Sequence, residues 1–246
     1  MRRLLTNTMV LLMAVLATSC TKWPWQNCEK GRGDRVEEVR NFPNFHTFIL
    51  DVPGEVILHH DTARPSSELV LFAQKNVLGK ISTELSSGIV TVTFDDCFQD
   101  HQDLRFTLYT GGLKKVIFNS SSRVKTATAI RGDHFTVEVN GTLSADMTFF
   151  IDSLATLYPG KGSGTFQGYA HKYYNKIDAA SSVYSGNLVS DSVWTELHGA
   201  GYNEIHVVDY LNATISGSGN ILYTGGADTL DVVENITGSG SLINNN

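Results

Sequence analysis

Apolar residues recur at every second position in short runs along the chain. Phe135, Val137 and Val139 alternate with Thr136 and Glu138; Ile205 and Val207 flank His206; Val90, Val92 and Phe94 alternate with Thr91 and Thr93. Period two predicts strands with one face turned inward. The runs are rich in β-branched and aromatic residues and are cut by Gly, Ser, Asn and Asp, which favours strands and turns over helices. In the first part of the chain the pattern predicts strands over 45–52, 55–60, 68–73, 81–85 and 89–94. Pro53-Gly54 and Ser86-Ser87-Gly88 serve as turns, and 76–80 as a short irregular or helical link. After an acidic, polar link over 95–103, Leu104, Phe106 and Leu108 alternate with Arg105 and Thr107.

From residue 111 one unit is written repeatedly. Asp209-Tyr210-Leu211 is followed by Ile215 and Gly217-Ser218-Gly219, and Asp191-Ser192-Val193 by Leu197 and Gly199-Ala200-Gly201. Asp152-Ser153-Leu154 is followed by Tyr158 and Gly160-Lys161-Gly162, and Asp133-His134-Phe135 by Val139 and Gly141. The units start at 111, 133, 152, 171, 191, 209 and 228, a step of about 20 residues. One unit of short strands cannot bury its apolar face, whereas stacked copies can, at about 4.8 Å per rung. The fold class expected is therefore all-β: a single-stranded parallel β-solenoid of about seven rungs, right-handed by the crossover rule. Small residues at the G-x-G positions suit a sharp corner where a positive φ costs Gly little. The copy at His171 lacks both the Asp and the Gly pair, so a bulge is expected there.

The resulting organisation is a signal peptide over 1–19, a tether over 20–38, an N-terminal β cap over 39–110 and solenoid repeats over 111–246. Residues 39–246 form one continuous domain, and Asn244-Asn245-Asn246 end the stack. Composition agrees with an ordered all-β protein: 246 residues, 41% hydrophobic and 18% charged, with 22 Gly. The net charge of −6, without a basic stripe, argues against nucleic acid as a partner.

The N-terminus carries an address. Arg2-Arg3 precede an apolar core from Met9 to Ala17 that is too short to span a bilayer as a helix, ending in Leu16-Ala17-Thr18-Ser19-Cys20. Small residues before a Cys resemble a bacterial lipobox. Cys20 would then receive lipid and anchor the protein to a membrane, on the outer-membrane surface or its periplasmic face. An ordinary signal peptide with an incidental Cys is the alternative. Cys28 and Cys97 are left as an even pair, compatible with a disulfide or with two free thiols. In the tether, Trp23-Pro24-Trp25 would sit at the membrane interface or pack on the domain.

A group of residues resembles a known family. Phe45, the run Ile49-Leu50-Asp51-Val52-Pro53-Gly54-Glu55-Val56, Asn76-Val77-Leu78, Gly88-Ile89-Val90-Thr91-Val92 and Ile215-Ser216-Gly217-Ser218-Gly219-Asn220-Ile221 occur in the order of the auto-transporter adhesin, head GIN domain family, common in the Bacteroidetes. The resemblance spans roughly 36–243. It implies a β-solenoid on a secreted or lipid-anchored protein, and it brings no catalytic residues to carry over.

Candidate chemistry is sparse. Asp133, Asp152, Asp191, Asp209 and Asp228 recur at one point of the unit, where each can cap a turn; stacked carboxylates also offer oxygen ligands to Ca²⁺. Capping is preferred, because bare acids at rung spacing repel and the nonapeptide Ca²⁺ repeat is absent. Four triplets of Asp, Ser or Thr, and an apolar residue, centred on Thr62, Ser153, Ser192 and Thr229, resemble an O-glycosylation triplet of exported Bacteroidetes proteins. Arg131-Gly132-Asp133 spells the integrin tripeptide but sits at a predicted corner, where turn chemistry accounts for it. His59-His60, His198 and His206 are read as polar surface residues rather than metal ligands. No cofactor is assigned.

The leading expectation is a non-catalytic envelope protein whose solenoid surface binds a glycan or a protein. Tyr169, Tyr173, Tyr174, Tyr184, Trp194, Tyr202, Tyr210 and Tyr223 would offer stacking surfaces, with about half of them packed in the core or between rungs. The alternatives are a structural protein that self-associates through its ends as a homo-oligomer, and a polysaccharide-acting enzyme. Against the last, the rungs carry few bases beyond Lys161, Lys172 and Lys176, and no acid pair stands out from the ladder.

Overall fold

The structure is a computed structural model that describes residues 28–99, 103–226 and 229–246. Cys20, with the signal peptide and most of the tether, lies outside the described residues, as does Asp228. In chain order the strands are β1 (Glu29–Lys30), β2 (Arg35–Pro43), β3 (Thr47–Leu50), β4 (Gly54–His60) and β5 (Ser66–Gln74). The short helix α1 (Lys75–Leu78) precedes β6 (Ile81–Ser86), β7 (Ile89–Phe94), β8 (Phe98–Gln99), β9 (Arg105–Thr110), β10 (Lys115–Phe118) and β11 (Ser121–Thr126). The long strands are β12 (Ile130–Val139), β13 (Thr142–Tyr158), β14 (Lys161–Ile177), β15 (Ser182–Leu197) and β16 (Tyr202–Ile215), followed by β17 (Asn220–Thr224), β18 (Asp231–Ile236) and β19 (Ser241–Asn244).

Period-two strands joined at corners stack in parallel into a β-solenoid of about six turns with a partly barrel-like region. Side one runs β7, β3, β10, β12, β13, β14, β15, β16 and β18, each in parallel register with the next. Side two runs β9, β4, β11, then β13 to β16, β17 and β19. Side three joins them, from Ile130–Gly132 through Phe149–Ile151, Gly168–Ala170 and Leu188–Ser190 to His206–Val207. The repeat beginning at 228 supplies only β18 and β19, so the expected seven unit starts close about six turns. This last rung leaves Val232, Val233, Ile236 and Ile243 exposed.

The region expected as a cap is built into the stack. β3 and β4 form a rung lying between the rung of β7 and β9 and the rung of β10 and β11, out of chain order. The capping itself is done by antiparallel strands, β6 against β7 and β5 between β9 and β2. To leave β9 and reach β10, the chain steps over the β3–β4 rung at Gly111-Gly112. A Cβ on Gly111 would run into the Asp61 carbonyl oxygen and would lie 3.1 Å from that of Arg64. Cys28 and Cys97 are joined in a disulfide with their Cα atoms 4.8 Å apart, holding β1 beside β8.

The interior is built of columns. The rings of Phe135, Phe149 and Phe166 follow one another at 5.9 Å, and Leu154, Tyr173, Val193 and Leu211 stack in register. Each is essentially inaccessible, which is worth about 1.5–3 kcal/mol per large side chain. Amid them runs a buried polar chain: Thr156 Oγ1 and Ser185 Oγ bond the Tyr173 hydroxyl at 3.0 and 3.1 Å, Asn175 Nδ2 donates to the same hydroxyl at 2.7 Å, and Asn203 Nδ2 donates to Thr195 Oγ1 at 2.8 Å, while Asn175 Oδ1 and the Tyr158 hydroxyl find no hydrogen-bond partner among the described residues.

One corner expectation changes. Gly162 has the positive φ expected at a G-x-G corner, but Gly160, Gly199, Gly217 and Gly238 do not. They are required because a Cβ at each would strike the backbone oxygen of the preceding rung, at Gly141, Ala179, Gly199 and Gly217 respectively. The rung that begins at His171 bulges, as expected, between Tyr184 and Val189. Thr165 pairs Tyr184 but Gln167 pairs Asn187, and Ser185 pairs Ile205 but Val189 pairs His206. The unequal repeat lengths are absorbed there, so that the core columns of side one stay in register.

The crossing at Gly111 gives a stability test. Gly111→Ala pushes a methyl against fixed backbone and should cost about 1–3 kcal/mol, lowering Tm by roughly 2–12 °C in thermal denaturation. Gly79→Ala, whose Cβ would meet nothing nearer than 3.9 Å at an ordinary φ of −65°, should leave Tm nearly unchanged. Equal Tm for the two variants would show that the crossing is not a tight contact.

Candidate functional site on the third side

Side three turns three columns outward. Alternation along its strands buries Phe149, Ile151 and Ala170, so their sequence neighbours must face solvent. The central column is Arg131, Phe150, Tyr169 and Val189, stacked rung on rung. Phe150 is 43% exposed, Tyr169 37% and Val189 37%, so the stripe is a continuous apolar surface and not a scatter of single residues. The Arg131 guanidinium lies over the Phe150 ring, 4.7 Å from its centroid. On one flank are Thr148, Gln167 and Asn187, with Gln167 Nε2 donating to Thr148 Oγ1 at 2.9 Å.

On the other flank stand the residues that open each repeat: Asp133, Asp152, His171, Asp191 and Asp209. Their strand neighbours pair across successive rungs, which places each opposite the next, with Asp209 displaced by the register shift beyond Ser190. Turn capping is not what occupies Asp191. Its Oδ2 accepts from the Tyr169 hydroxyl at 2.7 Å and from His171 Nδ1 at 2.6 Å. These two bonds, Tyr169 first, hold the Asp191 carboxyl below the usual carboxylate range. The same bond, with the fields of Asp152 and Asp209 behind it, pushes the Tyr169 hydroxyl up to about 12. His171, where the repeat lacks its Asp, thus inserts a hydrogen-bond donor between Asp152 and Asp191. Among the described residues no group of three or more His, Cys, Asp or Glu is arranged to hold a metal ion.

The N-terminal part fixes where this side begins. His60 is buried, not a surface residue as its sequence suggested, and burial lowers its pKa. Its Nδ1 accepts from the Arg131 backbone N–H at 3.3 Å, while Thr128 Oγ1 donates to the His60 carbonyl at 2.9 Å. His59 points the other way and stacks on Tyr109 at 4.4 Å. Arg131-Gly132-Asp133 therefore sits at the first corner of side three, Gly132 with a φ of +143° and Arg131 engaged with Phe150.

The other residues singled out in the sequence are dispersed. Of the eight aromatics Tyr173 lies in the core, and four more, Tyr184, Trp194, Tyr202 and Tyr210, pack against one another between rungs. Tyr169 and Tyr184 are exposed; Tyr174, Trp194, Tyr202, Tyr210 and Tyr223 are half-buried. Trp194 and Tyr210 pair on side one and Tyr184 and Tyr202 on side two, each at 5.6 Å. Thr62 and Thr229 are exposed at turns, whereas Ser153 and Ser192 are half-buried within β13 and β15. His198 bonds Ser216 at 2.6 Å, and His206 bonds Thr224 at 3.2 Å. Phe150, Val189 and Gln167 were missed from sequence. Their signal is the exposed apolar residue two places, and the polar residue four places, before each ladder position, visible only after the repeats are aligned on the ladder.

The Asp191 contacts predict a pH response. A carboxyl lowered by folding stabilises the native state above its unfolded pKa of about 3.9, and that stabilisation is lost as pH falls through the lower native value. Tyr169→Phe removes the larger cause, so the Asp191 carboxyl should titrate closer to the ordinary value when followed by carbon-13 NMR. An unmoved midpoint would show that the Tyr169 bond is not formed in solution.

Comparison with known proteins follows the fold. No curated protein matches the sequence. A crystal structure of a "putative adhesin" from Bacteroides fragilis superposes with a TM-score of 0.78 at 15% identity, covering 88% of this chain and 99% of that one. A "putative adhesin" from Parabacteroides merdae gives a TM-score of 0.62 at 17% identity over 88% of this chain and 98% of its own. A "putative lipid binding protein" from Parabacteroides distasonis gives 0.66 at 12% identity over 88% and 99%. At these identities the likeness shows the shared fold. The family model "Putative auto-transporter adhesin, head GIN domain" matches residues 53–227, most of the chain, and the chain belongs to that family.

Proposed function

We propose that this is a non-catalytic cell-envelope protein that binds a glycan through side three. The observation that carries the reading is the stripe of Phe150, Tyr169 and Val189 between a column of amide and hydroxyl groups and a column of carboxylates. A sugar ring has an apolar face and a rim of hydroxyls. The aromatic surfaces accept the face, and Gln167, Asn187, Asp152 and Asp191 lie where the rim would need partners. The column repeats at about 4.8 Å, so successive sugars of a chain laid along the stack would meet equivalent surroundings. Family membership supports an adhesin-type role and an extracellular or envelope location.

Glycan-array binding followed by titration tests the site. Phe150→Ala combined with Tyr169→Ala should weaken the captured glycan by about 2 kcal/mol, roughly 30-fold. Tyr184→Ala, an exposed aromatic on side two, should change it by less than twofold. Unchanged affinity in the double variant would remove side three as the binding face.

Location rests on the lipobox-like run ending at Cys20, and no helix among the described residues is long and apolar enough to cross a membrane. In this reading Cys20 carries lipid and tethers the solenoid to the outer membrane, and Thr62 and Thr229, on exposed turns, are the accessible sites for O-linked sugar. Cys20→Ser should move the protein from the membrane to the soluble fraction. Protease treatment of intact cells should digest the wild-type protein if it faces outward; protection until lysis would place the binding face toward the periplasm. Membrane retention of the Cys20→Ser protein would refute lipid anchoring at that residue.

A further inference from the structure

We infer that a second site, on side two, binds acidic saccharides through Arg123. A groove of about 830 Å³ opens there, between the N-terminal strands and the first rungs of the long strands. Its floor is one outward column of side two, read in register: Arg105, Glu55, Arg123, Ser144 and Ser163. Arg35 reaches it from the edge strand β2.

The charges in this column are not balanced. Glu55 stands between Arg105 and Arg123 but is already committed: its Oε2 accepts from Arg105 Nε at 3.0 Å and its Oε1 from Lys125 Nζ at 2.9 Å. Arg123, exposed, is left without a hydrogen-bond or ion-pair partner among the described residues. Arg35 and Arg105 are pre-positioned by Phe72, with their guanidinium carbons 4.8 and 5.8 Å from its ring centroid. Arg35 spends one donor on the Asp103 carbonyl at 3.4 Å. Three guanidiniums thus line a groove in a chain whose net charge is −6. Beyond Arg123 the floor is hydroxylic, with Ser144 and Ser163 in line and Ser121 and Thr142 in the adjacent column.

A cation with free bidentate donors, followed along the groove by hydroxyls at rung spacing, matches a chain of sugars bearing carboxylate or sulfate groups. The guanidinium forks take the anion, and the serine and threonine hydroxyls exchange bonds with the sugar hydroxyls. Side three offers carboxylates on its flank and would repel the same ligand, so the two faces select different saccharides. A lone small anion would need only Arg123; the run of hydroxyls favours an oligosaccharide.

The test is isothermal titration of the full-length chain in detergent with three probes: oligogalacturonate for carboxylate, a chondroitin sulfate oligosaccharide for sulfate, and a dextran oligosaccharide as the neutral control. At least one acidic probe should bind, with an affinity that falls as salt is raised, and dextran should not bind in this groove. Arg123→Ala, which removes no hydrogen bond or ion pair among the described residues, should weaken the acidic probe by 10-fold or more. Arg123→Lys should recover part of the loss. The Phe150→Ala, Tyr169→Ala double variant should bind the acidic probe like wild type. The carboxylate and sulfate arms identify which anion the groove prefers. Failure of both acidic probes to bind, a loss of less than threefold in Arg123→Ala, or an equal loss in the side-three variant would overturn the proposal. Because the two variants lie on different faces, failure here leaves the glycan reading of side three to its own test.

Discussion

Parallel backbone hydrogen bonding at a fixed rung spacing is the constraint on which everything else in this molecule depends. Once strands stack at about 4.8 Å, every residue in a repeat is extended into a column, and a column amplifies whatever chemistry it repeats. Inward, the result is favourable: Phe135, Phe149 and Phe166, or Leu154, Tyr173, Val193 and Leu211, bury one another. At the corners it is restrictive, because the carbonyl of one rung occupies the place a side chain would take on the next, as Gly217 shows over Gly199. Outward it can be costly. Two carboxylates at rung spacing repel by about 1 kcal/mol even at the dielectric of water. The ladder tolerates this because His171 replaces the acid in one rung and, with Tyr169, satisfies Asp191.

The same constraint explains why part of the fold was legible in sequence and part was not. The repeats from 133 onward could be placed because Leu, Val or Tyr at Leu154, Tyr173, Val193 and Leu211 must keep step for the core to close. The rung of β3 and β4 could not. Its hydropathy reads as ordinary strands, and nothing local records that Thr47–Leu50 lies between Ile89–Val92 and Lys115–Phe118, two segments far along the chain. Only Gly111-Gly112 carries a trace of it, as the place where the connection steps over that rung. Gly at the G-x-G positions was correctly read as a corner, but at all except Gly162 for a different reason, since crowding by the adjacent carbonyl and a positive φ leave the same residue in the sequence. The bulge in the His171 rung was legible from its missing Asp and Gly pair, but its exact place was not, because either side of a corner can absorb an extra residue without disturbing the core.

The candidate sites divide in the same way. Tyr169 and the Asp ladder were visible as residue types, yet their meaning depends on register: an Asp that could cap its own turn instead bonds a tyrosine on the rung before. Phe150 and Val189 look like any strand residue until alternation is anchored by the burial of Phe149 and Leu188. The Arg105–Glu55–Arg123 column is less legible still, because Arg105 and Arg123 lie about one repeat apart but Glu55, far earlier in the chain, is inserted between them by the stack's departure from chain order.

That departure has a functional consequence. A solenoid whose rungs follow chain order presents much the same outer column from one end to the other, because the repeat dictates it. Here the inserted rung breaks the repeat on side two. Glu55 and Arg105 come from segments outside the periodic part, and the antiparallel strand β2 brings Arg35 beside them. On side three, where Ile130 to Val207 belong to the periodic part, the outer columns remain regular and extend for several rungs. The periodic surface suits a repetitive ligand laid along it, whereas the interrupted surface concentrates charge at one point. Both arise from a single backbone geometry, and the difference between them lies only in whether neighbouring rungs are also neighbours in sequence.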